Sequence, residues 1–127
     1  MSEELYETGM HIRRKVLGDG HVERSLNKAN DFDRPMQELT TSYCWGMLWG
    51  RDGLDHKSRS IANLAMLSVL GRPHELKVHT AGARRNGCSW EEIQEVLLQV
   101  AVYGGVPAAV DAFRVAREVY DEESGDS

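Results

Sequence analysis

A chain of 127 residues, 41% hydrophobic and 28% charged, is long enough for one domain and ordinary for a globular one. Its formal net charge is −5, but the closing stretch DEESGDS holds four of the 20 acids. Without it the balance is 15 basic against 16 acidic residues, or −1, and a near-neutral body excludes the basic field that nucleic acid requires.

The pattern is helical nearly throughout. The expected fold class is all-α: a single-domain bundle of about six helices over residues 1–127, with 121–127 a flexible acidic tail. A first helix is predicted from about Glu4 to Leu17, stopped by GDG at Gly18 to Gly20. HVERSLNKANDFD reads as the least regular segment, with Asp31 and Asp33 as caps. A second helix starts near Pro35 and ends around Trp49 to Asp52, with Met36, Leu39, Tyr43 and Met47 at helical spacing. Asp55 caps a third helix reaching about Leu70, apolar on most sides and so predicted to be the buried central helix. After GRP a fourth helix covers about His74 to Arg85 and stops at Asn86–Gly87. Ser89 and Glu92 form a capping box for a fifth, whose face is Ile93, Val96, Leu97, Val100 and Ala101. Pro107 opens the last, with Ala109, Ala112, Phe113, Ala116 and Tyr120 along one stripe. Helices this short and apolar suggest faces buried between subunits, so an oligomer is expected. No apolar run approaches the roughly 20 residues that span a bilayer. The acidic start lacks a signal peptide's apolar region, so the expected location is cytoplasmic, with no membrane contact.

Chemistry concentrates in YCWGMLWGRDGLDHKSRS. Trp45 and Trp49 lie one helical turn apart, and Gly46 and Gly50 remove side chains beside them, opening the backbone to close approach. Arg51 and Arg59 bracket the turn DGLD, and a planar guanidinium is a natural partner of a carboxylate. Arg59 sits in the first turn of its helix, where a cation opposes the dipole and calls for an anionic partner. His79 faces inward between Leu76 and Ala83, and Glu75, one turn before it, can orient the ring and raise its pKa. Tyr103 can place a hydroxyl in a cleft. Each also has a plain structural reading: a packed aromatic pair, arginines paired with structural acids, a satisfied core histidine, a tyrosine packed on the last helix. His74 and His79 lie about 500° apart around their helix, so no metal is expected there. His11, His21 and His56 read as surface residues. Cys44 and Cys88 form no Cys-x-x-Cys and have no histidine signature beside them; they read as reduced thiols without nucleophilic chemistry. There is no phosphate loop, dinucleotide fingerprint or catalytic serine motif.

The segments WGMLWGRDGLDHKSRS, LGRPHELKVH, ARRNG and EEIQEVLLQVAVYGGVPAA, in that order and spacing, resemble the 4-carboxymuconolactone decarboxylase family. The likeness covers nearly the whole chain, with RDGL where the decarboxylases have RPGL. It implies an all-α homo-oligomer, commonly a hexamer. It also implies decarboxylation of 4-carboxymuconolactone to 3-oxoadipate enol-lactone, in protocatechuate breakdown through the β-ketoadipate route. The substrate is a lactone carrying two carboxylates, and its own conjugated carbonyl accepts the electrons of the departing one, so no cofactor is implied. On this reading His79 and Glu75 are catalytic, and Trp45, Trp49, Arg51, Arg59, Arg72 and Tyr103 bind substrate. The arginines anchor the retained carboxylate and stabilise the oxyanion. The tryptophans make a dry wall and His79 protonates carbon. The alkyl hydroperoxidase-like group, of the same fold, carries a Cys-x-x-Cys and a histidine one turn on. His79 matches that histidine, but Arg72 and Glu75 stand at the cysteine positions, which argues against a thiol-dependent peroxidase. A non-catalytic or differently catalytic paralogue that binds another small carboxylic acid is the other alternative.

Overall fold

The computed structural model describes residues 2–125. It contains seven α-helices and one π-helical segment, with no strand among the described residues, so the all-α expectation holds. The chain divides into two compact units, Met1–Asp55 and His56–Ser127, described in turn.

In the first unit, α1 spans Glu3–Leu17. The Ser2 side chain accepts from Leu5 N at 3.1 Å, and Glu3 and Glu4 in the first turn with Arg14 and Lys15 in the last suit the helix dipole. Gly18, at φ 88°, stops it, a backbone angle that glycine adopts without a Cβ clash. The next stretch, expected to be irregular, folds as α2, Asp19–Lys28. Two contacts pin it: Arg14 donates to Glu23 at 2.6 Å and to Asp19 at 3.4 Å. Val22 is fully buried, an anchor too short to show as a periodic pattern. Asp33 stands at the N-cap position of α3, Arg34–Leu39, but its carboxylate accepts from Asn30 N at 2.7 Å and does not cap the helix.

α3 runs directly into a π-helical segment, Thr40–Leu48. The spacing predicts a plain α-helix here; instead Trp49 N donates to Cys44 O, five residues back, at 3.0 Å. The change of period moves the face. Met36, Leu39, Tyr43 and Met47, the residues at α-helical spacing, are about half-exposed or more, while Trp45 and Trp49 are buried. What approaches the glycine backbone is α1. A Cβ on Gly9 would overlap the carbonyl oxygen of Thr41, and one on Gly46 that of Leu5. Arg13 completes the contact from within. It is 5% exposed, and its Nη1 donates to Gln37 Oε1 at 2.9 Å and Thr41 Oγ1 at 3.1 Å. Burial holds its pKa below the ordinary arginine value, and its Nε is buried without a hydrogen bond.

The second unit opens with α4, His56–Leu70, immediately after Asp55. It was expected to be buried on most sides. Within the chain only the stripe Ser60, Leu64 and Ser68 is buried, and Met66, Val69 and Leu70 are exposed. Ile61 and Leu67 are partly buried against the core of this unit. Gly71, at φ 69°, turns the chain into α5, Pro73–Arg85. Asn86, at its end, donates to Ser60 Oγ at 2.9 Å and His56 O at 3.3 Å, which sets α4 and α5 antiparallel. The capping box of α6, Trp90–Tyr103, is present as expected: Glu92 N donates to Ser89 Oγ at 3.0 Å and Ser89 N to Glu92 Oε1 at 2.9 Å. α7, Val106–Ser124, has Pro107 in its first turn. It continues through residues 121–124, expected to fray, because Glu122 meets Lys77 at 2.9 Å and Glu123 pairs with Arg84. Residues 126–127 lie outside the described residues. The core joins Leu64, Leu76, Ala83, Cys88, Ile93, Leu97, Ala112, Val115 and Ala116. Of the predicted α7 stripe, Ala109, Ala112 and Ala116 are buried; Phe113 is partly buried and Tyr120 half-exposed against Trp90.

Candidate active site

The second unit assembles a polar group on the facing sides of α4 and α5. Arg59 and Asn63 are four residues apart on α4, hence on one face. Asn63 Nδ2 lies 3.4 Å from His79 Nδ1 on α5, a long hydrogen bond in a half-buried setting. The antiparallel register fixed by Asn86 keeps this pairing in place. Arg59 is half-buried, with its Nε shut away from solvent. A guanidinium, an amide and an imidazole thus line one helix–helix face. Together they can bind an anion and move a proton.

The other expected residues of this unit are more exposed than the group. Glu75, one turn before His79, is exposed, while Asn63 brings its side-chain amide to the ring nitrogen Nδ1. Arg72 is exposed ahead of α5. Tyr103 is 85% exposed at the end of α6. The neighbouring Thr80 is buried, and its hydroxyl donates to Leu76 O at 2.7 Å, which ties it to the helix backbone.

In the first unit, Trp45 and Trp49 are packed together. Their ring centroids are 4.7 Å apart with planes inclined at 34°, and each ring is 4% exposed. Gly50 is needed because a Cβ there would overlap the carbonyl oxygen of Gly46. Arg51, just beyond, is exposed.

Neither of two surface grooves contains an expected site residue. One, of about 850 Å³, lies between α6 and α7 and is lined by Trp90, Phe113, Arg114, Arg117 and Tyr120 among others. The second, of about 540 Å³, lies by Tyr6, Glu38 and Ser42. Among the described residues no three of His, Cys, Asp and Glu converge as a metal-binding group. Asn63 was missed from sequence, although a signal existed: asparagine is a poor helix former, and here it interrupts the apolar run IANLAMLSVL. Arg13 gave no such signal, since RRK at the end of a helix reads as a solvated cluster.

The carboxymuconolactone decarboxylase family model matches residues 34–118. The chain is 38% identical over 120 residues to a 4-carboxymuconolactone decarboxylase of Acinetobacter baylyi, covering 94% of this chain and 90% of that one. It is equally, 38%, identical over 122 residues to the nitrosuccinic acid decarboxylase npaB of Metarhizium robertsii, covering 96% and 85%. A 4-carboxymuconolactone decarboxylase sequence from Pseudomonas putida is 48% identical over 44 residues, 35% of this chain and 92% of that sequence. Two relatives named as decarboxylases therefore match almost end to end, and the family match spans both the π-helical segment and the α4–α5 face. The chain belongs to the carboxymuconolactone decarboxylase family.

Proposed function

We propose that the protein decarboxylates 4-carboxymuconolactone to 3-oxoadipate enol-lactone without a cofactor, in protocatechuate catabolism by the β-ketoadipate route. The observation that carries this is the pairing of Asn63 with His79 on the face that also bears Arg59, in a chain resembling a decarboxylase of that substrate over 94% of its length. The bond between the ring carbon and its carboxylate breaks, CO2 leaves, and the electron pair passes through the ring double bond to the lactone carbonyl oxygen. The furan-like oxyanion then takes a proton on carbon. Arg59 holds an anionic oxygen of the substrate, and a fixed cation there is worth most against charge that develops in the transition state. His79 delivers the proton.

A second substrate is favoured by the equal identity to the nitrosuccinic acid decarboxylase. The demand is the same. Loss of the carboxylate on the nitro-bearing carbon leaves its electron pair in a nitronate, an oxyanion again quenched by a proton on carbon, while the other carboxylate stays. The experiment is to incubate purified protein with each acid, follow CO2, and identify the product by NMR. Turnover of the lactone with a kcat/KM well above that for nitrosuccinate is expected. The reverse ratio would move the assignment to the nitro acid, and turnover of neither would remove both.

A further inference from the structure

We infer that Asn63 is the residue that positions His79: its side-chain amide holds Nδ1 and so presents Nε2 as the nitrogen that hands the proton to the substrate. The kinetic half of this rests on the decarboxylation proposed above; the contact itself does not. Three observations lead to it. Asn63 Nδ2 and His79 Nδ1 are 3.4 Å apart and partly buried. The helices carrying them are locked in register by the Asn86 bonds to Ser60 and His56, so the approach is a feature of the fold. Asn63 also occupies a site in α4 where helix propensity and the surrounding apolar run both favour another residue.

An amide suits the task better than a carboxylate. When the ring is neutral, the Asn63 N–H donates to a bare Nδ1, which leaves the proton on Nε2. When the ring is charged, the same amide turned over accepts from the Nδ1 proton through Oδ1. When Nε2 of the charged ring gives up its proton, the Nδ1 proton stays hydrogen-bonded to Oδ1, so one side chain holds the ring through the transfer as well as in the resting neutral ring. A carboxylate can only accept, so it would keep the neutral ring's proton on Nδ1 and leave Nε2 bare. The charged side chains one turn away on these faces are Arg59, before Asn63, and Glu75, before His79. Glu75 is exposed to solvent, which screens its charge.

The test labels the histidines with 15N and assigns His79 among the five by its absence in His79→Gln. In the native protein, the neutral His79 ring is expected with Nε2 protonated and Nδ1 bare. Asn63→Asp should move that proton to Nδ1 and raise the ring's titration by about one pH unit or more. Asn63→Leu should abolish the Nδ1 hydrogen-bond shift. Kinetically, Asn63→Leu should lower kcat by about tenfold to a hundredfold with KM little changed, as a misaimed acid does. Asn63→Asp should move the pH profile of kcat in the same direction as the ring. Circular dichroism confirms that the variants fold. Ring signals unmoved in both folded variants would overturn the contact, whatever the activity. A ring that moves while the kcat profile stays put would overturn the role of Asn63 in the reaction and of His79 as proton donor. Release of CO2 by the native protein judges the decarboxylation separately.

Discussion

His79 and Arg59 are assigned different parts of the reaction, and substitutions separate them. His79→Gln keeps a hydrogen-bonding side chain but cannot exchange a proton, so kcat is expected to fall by about 10²–10⁴-fold. A folded His79→Gln protein with native kcat would leave His79 as a packed histidine. Arg59→Lys keeps the charge and loses the planar fork. An expected loss of about tenfold in kcat/KM corresponds to roughly 1.4 kcal/mol of transition-state stabilisation. Native kinetics for that variant would make Arg59 a structural cation. Inward-facing His79 was legible in the sequence because Leu76 and Ala83 bracket it at helical spacing. Its partner was not: a glutamate four residues back is a strong local pattern, whereas Asn63 reaches the ring across sixteen residues of chain.

At the scale of elements, local signals translated well wherever the bonds are local. The Ser89–Glu92 box and the glycine stops at Gly18 and Gly87 stand where the sequence puts them. α2 was missed because its support is tertiary, a single buried Val22 and the reach of Arg14 from α1. The π-helical segment was missed because hydrophobic spacing is interpreted with one period, and a contact with α1 chose another. That contact is testable. Gly46→Ala drives a methyl into the Leu5 carbonyl of α1, a backbone atom that cannot swing aside. The expected cost is about 1–3 kcal/mol in urea unfolding, the range for overpacked cores. Stability equal to the native protein's would mean that α1 and the segment are not in backbone contact.

For the whole molecule, the question is which surfaces water sees. Val102 and Tyr103 are 77% and 85% exposed, and Val106, Val110, Leu70 and Val69 are also open. We expect self-association to cover such apolar surface. Gel filtration with light scattering should give a mass above the 14.3 kDa of one chain, and a single 14.3 kDa species at micromolar concentration would refute it. Acid should act through the closing turns of α7. Arg84 holds the Glu123 carboxyl below its ordinary pKa, followed by a smaller contribution from Trp90. A carboxylate with a depressed folded pKa binds fewer protons folded than unfolded. Its stabilisation is therefore complete above the unfolded value of about 4.3 and is lost as pH falls through the lower folded value. The stability gap between native protein and Glu123→Gln should be open at neutral pH and close in strong acid. An unchanged gap would place the effect in packing on Trp90. The π-helical segment, finally, bears on how sequences of this family are aligned. Each of its hydrogen bonds spans one residue more than an α-helical bond, so the segment uses more chain per turn. A relative with α geometry there would need fewer residues between the Gln37 and Trp49 positions to bring the same tryptophan pair to the same place. A gap of that kind, between Thr40 and Leu48, would then be a record of helix type and not of a missing loop.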